Sequence, residues 1–181
     1  MILALVAVIV LLGVFFIGMY NSLVQLRVRS ESAWSDIDVQ LKRRHDLIPN
    51  LVETVKGYAG HEKSTFEDIA RFRSMAMQAT GPADKAAAEN QLTSSLKSLF
   101  AVAENYPQLQ ASQEFTQLQN SLGQIEDAIQ NARRYYNAVV RDLNTKIQSF
   151  PTNILAGMFG FQQKQFFEAA AGDREPVAVK F

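Results

Sequence analysis

The chain has 181 residues, the size of one modest domain, and its 18 lysines and arginines balance its 18 aspartates and glutamates. A net charge of zero argues against a nucleic-acid binder that relies on bulk positive charge, and we predict no nucleic-acid partner. The absence of cysteine excludes disulfides, thiolate metal sites and a cysteine nucleophile. Charge is unevenly placed, because the first 26 residues carry no charged side chain.

The N-terminal segment from Met1 to Tyr20 is almost entirely apolar. Twenty helical residues measure about 30 Å, the thickness of the hydrocarbon core of a bilayer. Tyr20 and Asn21 lie where an interfacial aromatic and a polar group are expected. The alternative, a cleaved signal peptide, needs a basic residue before the apolar run and small residues at a cleavage site. No lysine or arginine precedes this run, and the large side chains at its end suit a cleavage site badly. We therefore predict an uncleaved single-pass anchor within residues 1–26.

Basic residues follow the predicted anchor, since Arg27 and Arg29 come directly after it and Lys42, Arg43 and Arg44 lie further along. Only the terminal amine lies on the other side. The positive-inside rule counts basic residues near the ends of a span and gives acidic residues little weight. It therefore favours a cytoplasmic C-terminal domain.

The first helical stripe of the soluble part runs from Trp34 to Tyr58, with residues recurring at steps of three and four. All but one of its members are apolar: Trp34, Ile37, Leu41, Arg44, Ile48, Leu51, Val55 and Tyr58. Pro49 falls inside this stripe and removes the backbone bond to the carbonyl of His45, so we expect the helix to kink or restart there. Asp46 is a candidate cap for the restarted segment.

Two further stripes predict helices over about residues 60–79 and 83–105, separated by the turn Thr80-Gly81-Pro82. The last long helix is the clearest. Eleven of its positions recur at alternating steps of three and four, as in the seam of a coiled coil, and ten of these seam positions are apolar. The seam positions are Phe115, Leu118, Leu122, Ile125, Ile129, Ala132, Tyr136, Val139, Leu143, Lys146 and Phe150. Amphipathic helices bury their stripes against one another, and short connections make neighbours antiparallel. We therefore predict an all-α chain, in which the anchor is followed by an elongated antiparallel helical bundle over residues 27–150 with a coiled-coil seam.

The C-terminal tail, residues 151–181, is irregular and carries five phenylalanines, the first of them Phe159 and Phe161. Pro151 is placed to open a short helix that includes Ile154 and Met158. A tail with so many apolar side chains either folds back onto the bundle or forms a surface that binds a partner or lipid. We favour folding back.

Residues suited to catalysis or metal binding are sparse. His61 begins a sequence like the HExxH zinc motif, but Thr65 stands where the second histidine is needed. Asp36 and Asp38 are two apart on a helix and point to different sides, so they do not form a carboxylate pair. We predict no catalytic residue, no metal site and no cofactor.

The basic residues are the better candidates for a functional role. Lys42, Arg43 and Arg44 form a compact cluster that spreads around the helix axis. Arg44 falls on the apolar stripe, where it either pairs with an acidic residue of a neighbouring helix or contacts anionic headgroups or a partner, and we favour pairing. The candidate interaction residues are Arg27, Arg29, Lys42, Arg43, Arg44, Arg133, Arg134, Phe159 and Phe161.

Several stretches of the chain, above all Ala33–Val52, follow a recognisable pattern. The others are Tyr20–Val24, Val55–Ala59, His61-Glu62, Ala132–Asn137, Phe150–Asn153 and Phe159–Phe161. On these residues the chain resembles the LemA family of bacterial membrane proteins. The resemblance implies one N-terminal helix in the bacterial inner membrane, a small external N-terminus, a long-helix antiparallel bundle and no established enzymatic activity. It also implies association with other membrane proteins, such as an HtpX-type metalloprotease.

Two functions follow from these features. The leading hypothesis is a membrane-anchored helical scaffold without catalytic activity, which forms homo-oligomers or docks other membrane proteins. The alternative is an anionic-lipid-binding protein of membrane remodelling or envelope stress, with Arg27, Arg29, the Lys42–Arg44 cluster and the Phe-rich tail as membrane lipid contacts.

Overall fold

The structure, a computed structural model, describes residues 1–168. The chain is all-α over these residues, as predicted, and no strand occurs among them. Its helices are α1 (Ile2–Lys56), α2 (Lys63–Gln78), α3 (Pro82–Ala103), α4 (Pro107–Gln110), α5 (Gln113–Gln148) and α6 (Thr152–Met158). The predicted helices correspond to α1, α2, α3, α5 and α6, whereas the single turn of α4 was not predicted.

The N-terminal part of α1 is long and apolar enough to cross a membrane. Its apolar side chains, from Ile2 to Ile17, are largely exposed rather than packed against other parts of the described chain. Because the backbone of a helix satisfies its own hydrogen bonds, this segment can be surrounded by lipid without cost to its polar groups. This finding fits the predicted membrane anchor.

Pro49 lies inside α1, which nevertheless runs as one helix of 55 residues. The restart expected at Pro49 is therefore wrong, and Asp46 forms an ion pair with Lys42 at 3.1 Å instead of capping a new segment. Proline cannot donate to the carbonyl of His45, so that oxygen would lose its helical partner. The Nε of Arg73, from α2, donates to this oxygen at 2.8 Å. A side chain of a neighbouring helix thus replaces the missing bond.

The described residues divide into two compact units. Unit 1 contains Met1–Asp36 and Ala132–Gln165, and unit 2 contains Ile37–Asn131 together with the described residues after Gln165. Each unit therefore combines part of α1 with part of α5.

Unit 2 is built around the stripes that spacing predicted. Its core contains Ile48, Leu51 and Val55 of α1, Ile69 of α2, Leu92, Leu96 and Leu99 of α3, Leu109 of α4 and Phe115 and Leu122 of α5. Burying one such side chain is worth about 1.5–3 kcal/mol, so these layers supply much of the stability of unit 2. Tyr58, predicted to end the first stripe, is exposed, and Ala59 is buried in its place. The reason is that α1 ends at Lys56, so helical spacing no longer applies.

Gly81 forms the turn between α2 and α3, as the sequence predicted. Its φ of +81° lies in the left-handed region that favours glycine, and Pro82 then begins α3 at a position where its missing N–H costs nothing. The turn is short, so the chain reverses and α3 packs against α2.

Unit 1 has a smaller core, in which the tail returns to the helices. Phe161 packs with Leu23 of α1, Leu143 of α5 and Ala156 of α6. Trp34, predicted in the core, is half-buried, with its ring centre 5.3 Å from that of Tyr136.

The chain after Phe161 is held by side chains of α5. The amide of Asn144 donates to the carbonyl of Lys164 at 2.8 Å and accepts from its N–H at 2.9 Å. The hydroxyl of Tyr136 donates to the carbonyl of Gln165 at 2.9 Å. Phe167 is also buried, whereas Phe181 lies outside the described residues.

Candidate functional site

The Lys42–Arg44 cluster divides into two exposed residues and one buried residue. The Lys42 side chain is 78% exposed, and Arg43 is exposed and donates to Gln40. Arg44 is only 2% exposed. Consecutive helix positions point about 100° apart, so one of three neighbours can face the core while the other two remain in solvent. Lys42 and Arg43 therefore remain accessible candidates for interaction.

Arg44 lies at the centre of a buried ionic network in unit 2. Its Nη1 is 2.9 Å from Oε1 of Glu126 in α5, and its Nη2 is 3.4 Å from Oε2 of Glu89 in α3. Nη2 also donates to the carbonyl oxygen of Glu89 at 3.1 Å and to the hydroxyl of Thr93 at 2.9 Å. The predicted pairing of Arg44 with an acidic residue of a neighbouring helix is confirmed. Its burial corrects the alternative, direct contact with headgroups or a partner.

Glu89 was missed by the sequence analysis, although it is 4% exposed and its carboxylate is shared between two helix-α1 residues. Its Oε1 lies 2.7 Å from Nε2 of His45, in addition to the contact of Oε2 with Arg44. The available signal was position, because Glu89 precedes Leu92 and Leu96 at the three-four spacing of the α3 stripe. An acid on one apolar stripe and an arginine on another predict a buried pair.

The network is not saturated with hydrogen bonds. The Nε of Arg44 and Oε2 of Glu89 are buried without a hydrogen-bond partner among the described residues. Buried charges cost free energy to desolvate, and unsatisfied atoms add to that cost. The network therefore fixes which faces of α1, α3 and α5 meet, more than it adds to stability.

A groove lies on the solvent side of unit 2, between α1 and α5. We call it the docking groove. It is lined by Gln40, Arg43, Asp46, Leu47 and Asn50 of α1 and by Ser121, Gln124, Ile125 and Ala128 of α5, and its volume is about 500 Å³. Leu47 and Ile125 are half-buried and form the apolar floor of the groove, whereas Arg43 and Asp46 are exposed. The predicted seam position Ile125 thus lines a surface groove instead of the core.

In unit 1 the structure brings together three of the predicted interaction residues. The guanidinium carbon of Arg27 lies 5.2 Å from the ring centre of Phe161. The ring of Tyr20, at the end of the apolar segment, lies 4.9 Å from Phe159 and 5.9 Å from Phe161, with edge-on geometry. Of the three predicted residues, Phe161 is buried, whereas Arg27 and Phe159 are exposed.

The remaining predicted residues are Arg29, Arg133 and Arg134. Arg29 and Arg134 are exposed, and Arg133 is half-buried on α5. Arg133 and Arg134 belong to unit 1, whereas the Lys42–Arg44 cluster belongs to unit 2.

Of the aspartates of α1, Asp36 is exposed, whereas Asp38 and Asp46 take part in ion pairs. Asp38 lies 2.6 Å from Nζ of Lys85, and Asp46 is paired with Lys42. Within residues 1–168, no group of three or more histidine and carboxylate side chains is placed to hold a metal ion. His61 is exposed.

Comparison with known proteins gives consistent matches. The LemA family model matches residues 33–181. The magnetosome proteins MamQ 1 and MamQ 2 of Paramagnetospirillum magneticum are each 28% identical to this chain over 181 aligned positions, which cover 85% of it and 66% of each relative. This chain thus spans just under two thirds of their length. Protein LemA of Metamycoplasma hominis is 27% identical over 173 positions, covering 92% of this chain and 78% of the relative.

The resemblance found in the sequence is therefore confirmed by an independent match over most of the chain. That match includes the α1 residues of the docking groove and of the buried network, and it extends through α5 and α6. The chain belongs to the LemA family.

Proposed function

We propose that this protein is a membrane-anchored helical scaffold, without catalytic activity, that self-associates or docks other membrane proteins. The apolar start of α1 fits a membrane protein, and the family and its MamQ relatives fit a membrane-associated helical protein. Among membrane partners, an HtpX-type metalloprotease is one that the family resemblance suggests. The observation that carries the proposal is the docking groove.

The docking groove has the composition of a protein interface. Its apolar floor, formed by Leu47 and Ile125, is surrounded by amides, a hydroxyl and the charged side chains of Arg43 and Asp46. Protein interfaces combine an apolar centre with a polar rim, and arginine is enriched in them. Val39 lies one turn before Arg43 on α1 and is 52% exposed, which extends the apolar surface beyond the groove.

Site-specific photo-crosslinking in membranes tests this proposal. Benzoylphenylalanine at Ser121, inside the groove, is expected to give crosslinked products in cells that express the full chain. Products at multiples of the chain mass indicate self-association, and products containing a defined membrane protein indicate docking. Ala101, exposed on α3 and outside the groove, is the matched control position. Equal yields at the two positions, or no product together with a strictly monomeric native mass in detergent, would overturn the proposal.

A second candidate function is contact with anionic lipid. Arg27 and Arg29 are exposed directly after the apolar segment, where basic residues meet headgroups. If this contact matters, the full chain in nanodiscs should unfold at a higher temperature with phosphatidylglycerol than with phosphatidylcholine alone. High salt or the double substitution Arg27→Gln with Arg29→Gln should remove the difference. A melting temperature that is the same in both lipids argues against this function.

A further inference from the structure

The segment around α6 exposes a concentrated set of apolar side chains. Phe150 is 80% exposed, Ile154 54%, Met158 73% and Phe159 57%. We call these four residues the interfacial patch. Ile154 and Met158 are one helical turn apart, so they share one face of α6, while Leu155 and Ala156 face the core of unit 1. The helix thus carries apolar side chains on both its buried and its exposed sides.

The interfacial patch lies in a stretch without charge. From Ile147 to Gln163 no residue carries a charged side chain. The first charged residue after this stretch, Lys164, is directed to Glu31, 3.2 Å away. The segment can therefore leave water without desolvating a charged side chain, which is expensive against lipid.

Contacts within unit 1 place the interfacial patch beside the end of the apolar segment. Phe159 touches Tyr20, with ring centres 4.9 Å apart, and Tyr20 closes that segment. Lys146, near the end of α5, donates to the hydroxyl of Ser22 at 2.5 Å. When the segment crosses a bilayer, Tyr20 lies in the interfacial region, because tyrosine prefers the level of the headgroups. Phe159 then lies at that level too.

We propose that the interfacial patch is a second membrane contact, in which Phe150, Ile154, Met158 and Phe159 enter the interfacial region of the bilayer that the chain's own anchor crosses. Lipid is the expected partner of the patch, because the patch lies beside the apolar segment of α1 that lipid would surround. Arg27, whose guanidinium lies over the Phe161 ring, supplies positive charge near the patch and suits anionic headgroups.

The inference concerns orientation in the membrane and rests only on the anchoring part of the proposed function, not on the docking groove. A single transmembrane helix is free to tilt and to rotate about its axis. A second contact beside the helix fixes both, because only one rotation brings the patch to lipid. Unit 1 therefore presents the same side to the bilayer in every copy.

Fluorescence quenching of the full chain in vesicles tests the inference. The chain has no cysteine, so one introduced thiol carries the environment-sensitive label alone. Met158→Cys places it in the patch, and Met77→Cys is the matched control, a methionine near the end of α2 that is 56% exposed. Phe15→Cys, inside the apolar segment, reports on anchoring. The vesicles contain phosphatidylcholine and phosphatidylglycerol, with a nitroxide on the acyl chains or iodide in the water.

The expected result is a blue-shifted emission at Met158→Cys and loss of its intensity with the nitroxide lipid but little loss with iodide. Met77→Cys should show the reverse. A label at position 158 that responds to iodide as the label at 77 does would overturn the proposal. So would a label shielded from both quenchers, because protein and not lipid would then cover the patch. Failure of the anchor can be told apart from failure of the patch contact. If the anchor fails, the nitroxide lipid would not quench the label at position 15 either.

Discussion

Single residues decide how the helices of unit 2 are matched. Arg44 is the charged member of an otherwise apolar stripe, and it finds Glu89 and Glu126 on two different helices. Sliding α1 by one turn would leave Arg44 and Glu89 buried without each other, which costs far more than the loss of one apolar contact. The ionic network therefore selects one register among several that apolar packing alone would tolerate.

Neutralising Glu89 should be much more damaging than neutralising Glu126. Glu89→Gln leaves the buried Arg44 without its buried counter-charge, and we expect a loss of about 3–5 kcal/mol in the free energy of unfolding. The Glu126 side chain is 31% exposed, so water compensates in part and Glu126→Gln should cost about 1 kcal/mol. Urea unfolding of the full chain in detergent, followed by circular dichroism, measures both. Equal losses would contradict the central place given to Glu89.

Tyr136 should make unit 1 sensitive to alkali. Burial raises the pKa of its phenol above the ordinary value of 10.0, because the phenolate is desolvated. Its stabilising contribution is thus complete below pH 10 and is lost as the pH rises through the raised pKa. Tyr136→Phe should cost about 0.5–1.5 kcal/mol at neutral pH through the lost bond to Gln165, and the deficit should shrink above pH 10.

The matched control for this titration is Tyr135→Phe, because Tyr135 is 54% exposed on the same helix. Tyr135→Phe removes an exposed hydroxyl and should change the free energy of unfolding little at neutral pH, where Tyr136→Phe shows its deficit. Unfolding free energies measured in urea from neutral to alkaline pH provide the comparison. A deficit of Tyr136→Phe that does not change with pH would refute the role of the buried phenol.

At the scale of the element, α1 shows how a proline is kept inside a helix. The carbonyl of His45, freed by Pro49, accepts from Arg73 of α2, so the integrity of one helix depends on a side chain of another. The spacing of apolar residues carries no information about such a donor.

A double-mutant cycle isolates this dependence. Arg73→Met removes the donor and should cost about 1–3 kcal/mol, because a carbonyl is left unsatisfied. In the background of Pro49→Ala the main chain supplies its own N–H, and the same substitution should cost much less. Urea unfolding of the four chains gives the coupling energy. Strictly additive losses would show that Arg73 acts elsewhere.

The sequence predicted the elements well because helical spacing records burial directly. Leu92, Leu96 and Leu99 are buried as their stripe requires. The errors fall where a helix ends or where polar groups pair across helices. Phe150 is 80% exposed because α5 stops at Gln148. Glu89 stands at the spacing of the α3 stripe, but the identity of its partners on α1 depends on which helix faces meet. The docking groove likewise depends on which side chains of α1 and α5 leave space between them.

At the scale of the whole molecule, the docking groove is expected to govern association. Arg43→Glu reverses a charge in the groove, and Lys97→Glu makes the same change at an exposed position on α3 outside it. If assembly uses the groove, Arg43→Glu should weaken it at least about tenfold, or roughly 1.4 kcal/mol. Light scattering of the full chain in detergent over a range of concentrations gives the dissociation constant. Equal effects of the two variants would exclude the groove as the interface.

The composition of unit 1 has a consequence for how the protein is made. Its two parts, Met1–Asp36 and Ala132–Gln165, are separated in sequence by the whole first segment of unit 2. During synthesis the apolar start of α1 is made first, and Ile37–Asn131 leaves the ribosome before the residues that complete unit 1 exist. Unit 1 can therefore close only after most of unit 2 has been made, because Leu23 packs with Leu143 and Phe161. A chain released before residue 132 would carry its anchor with that side of α1 uncovered.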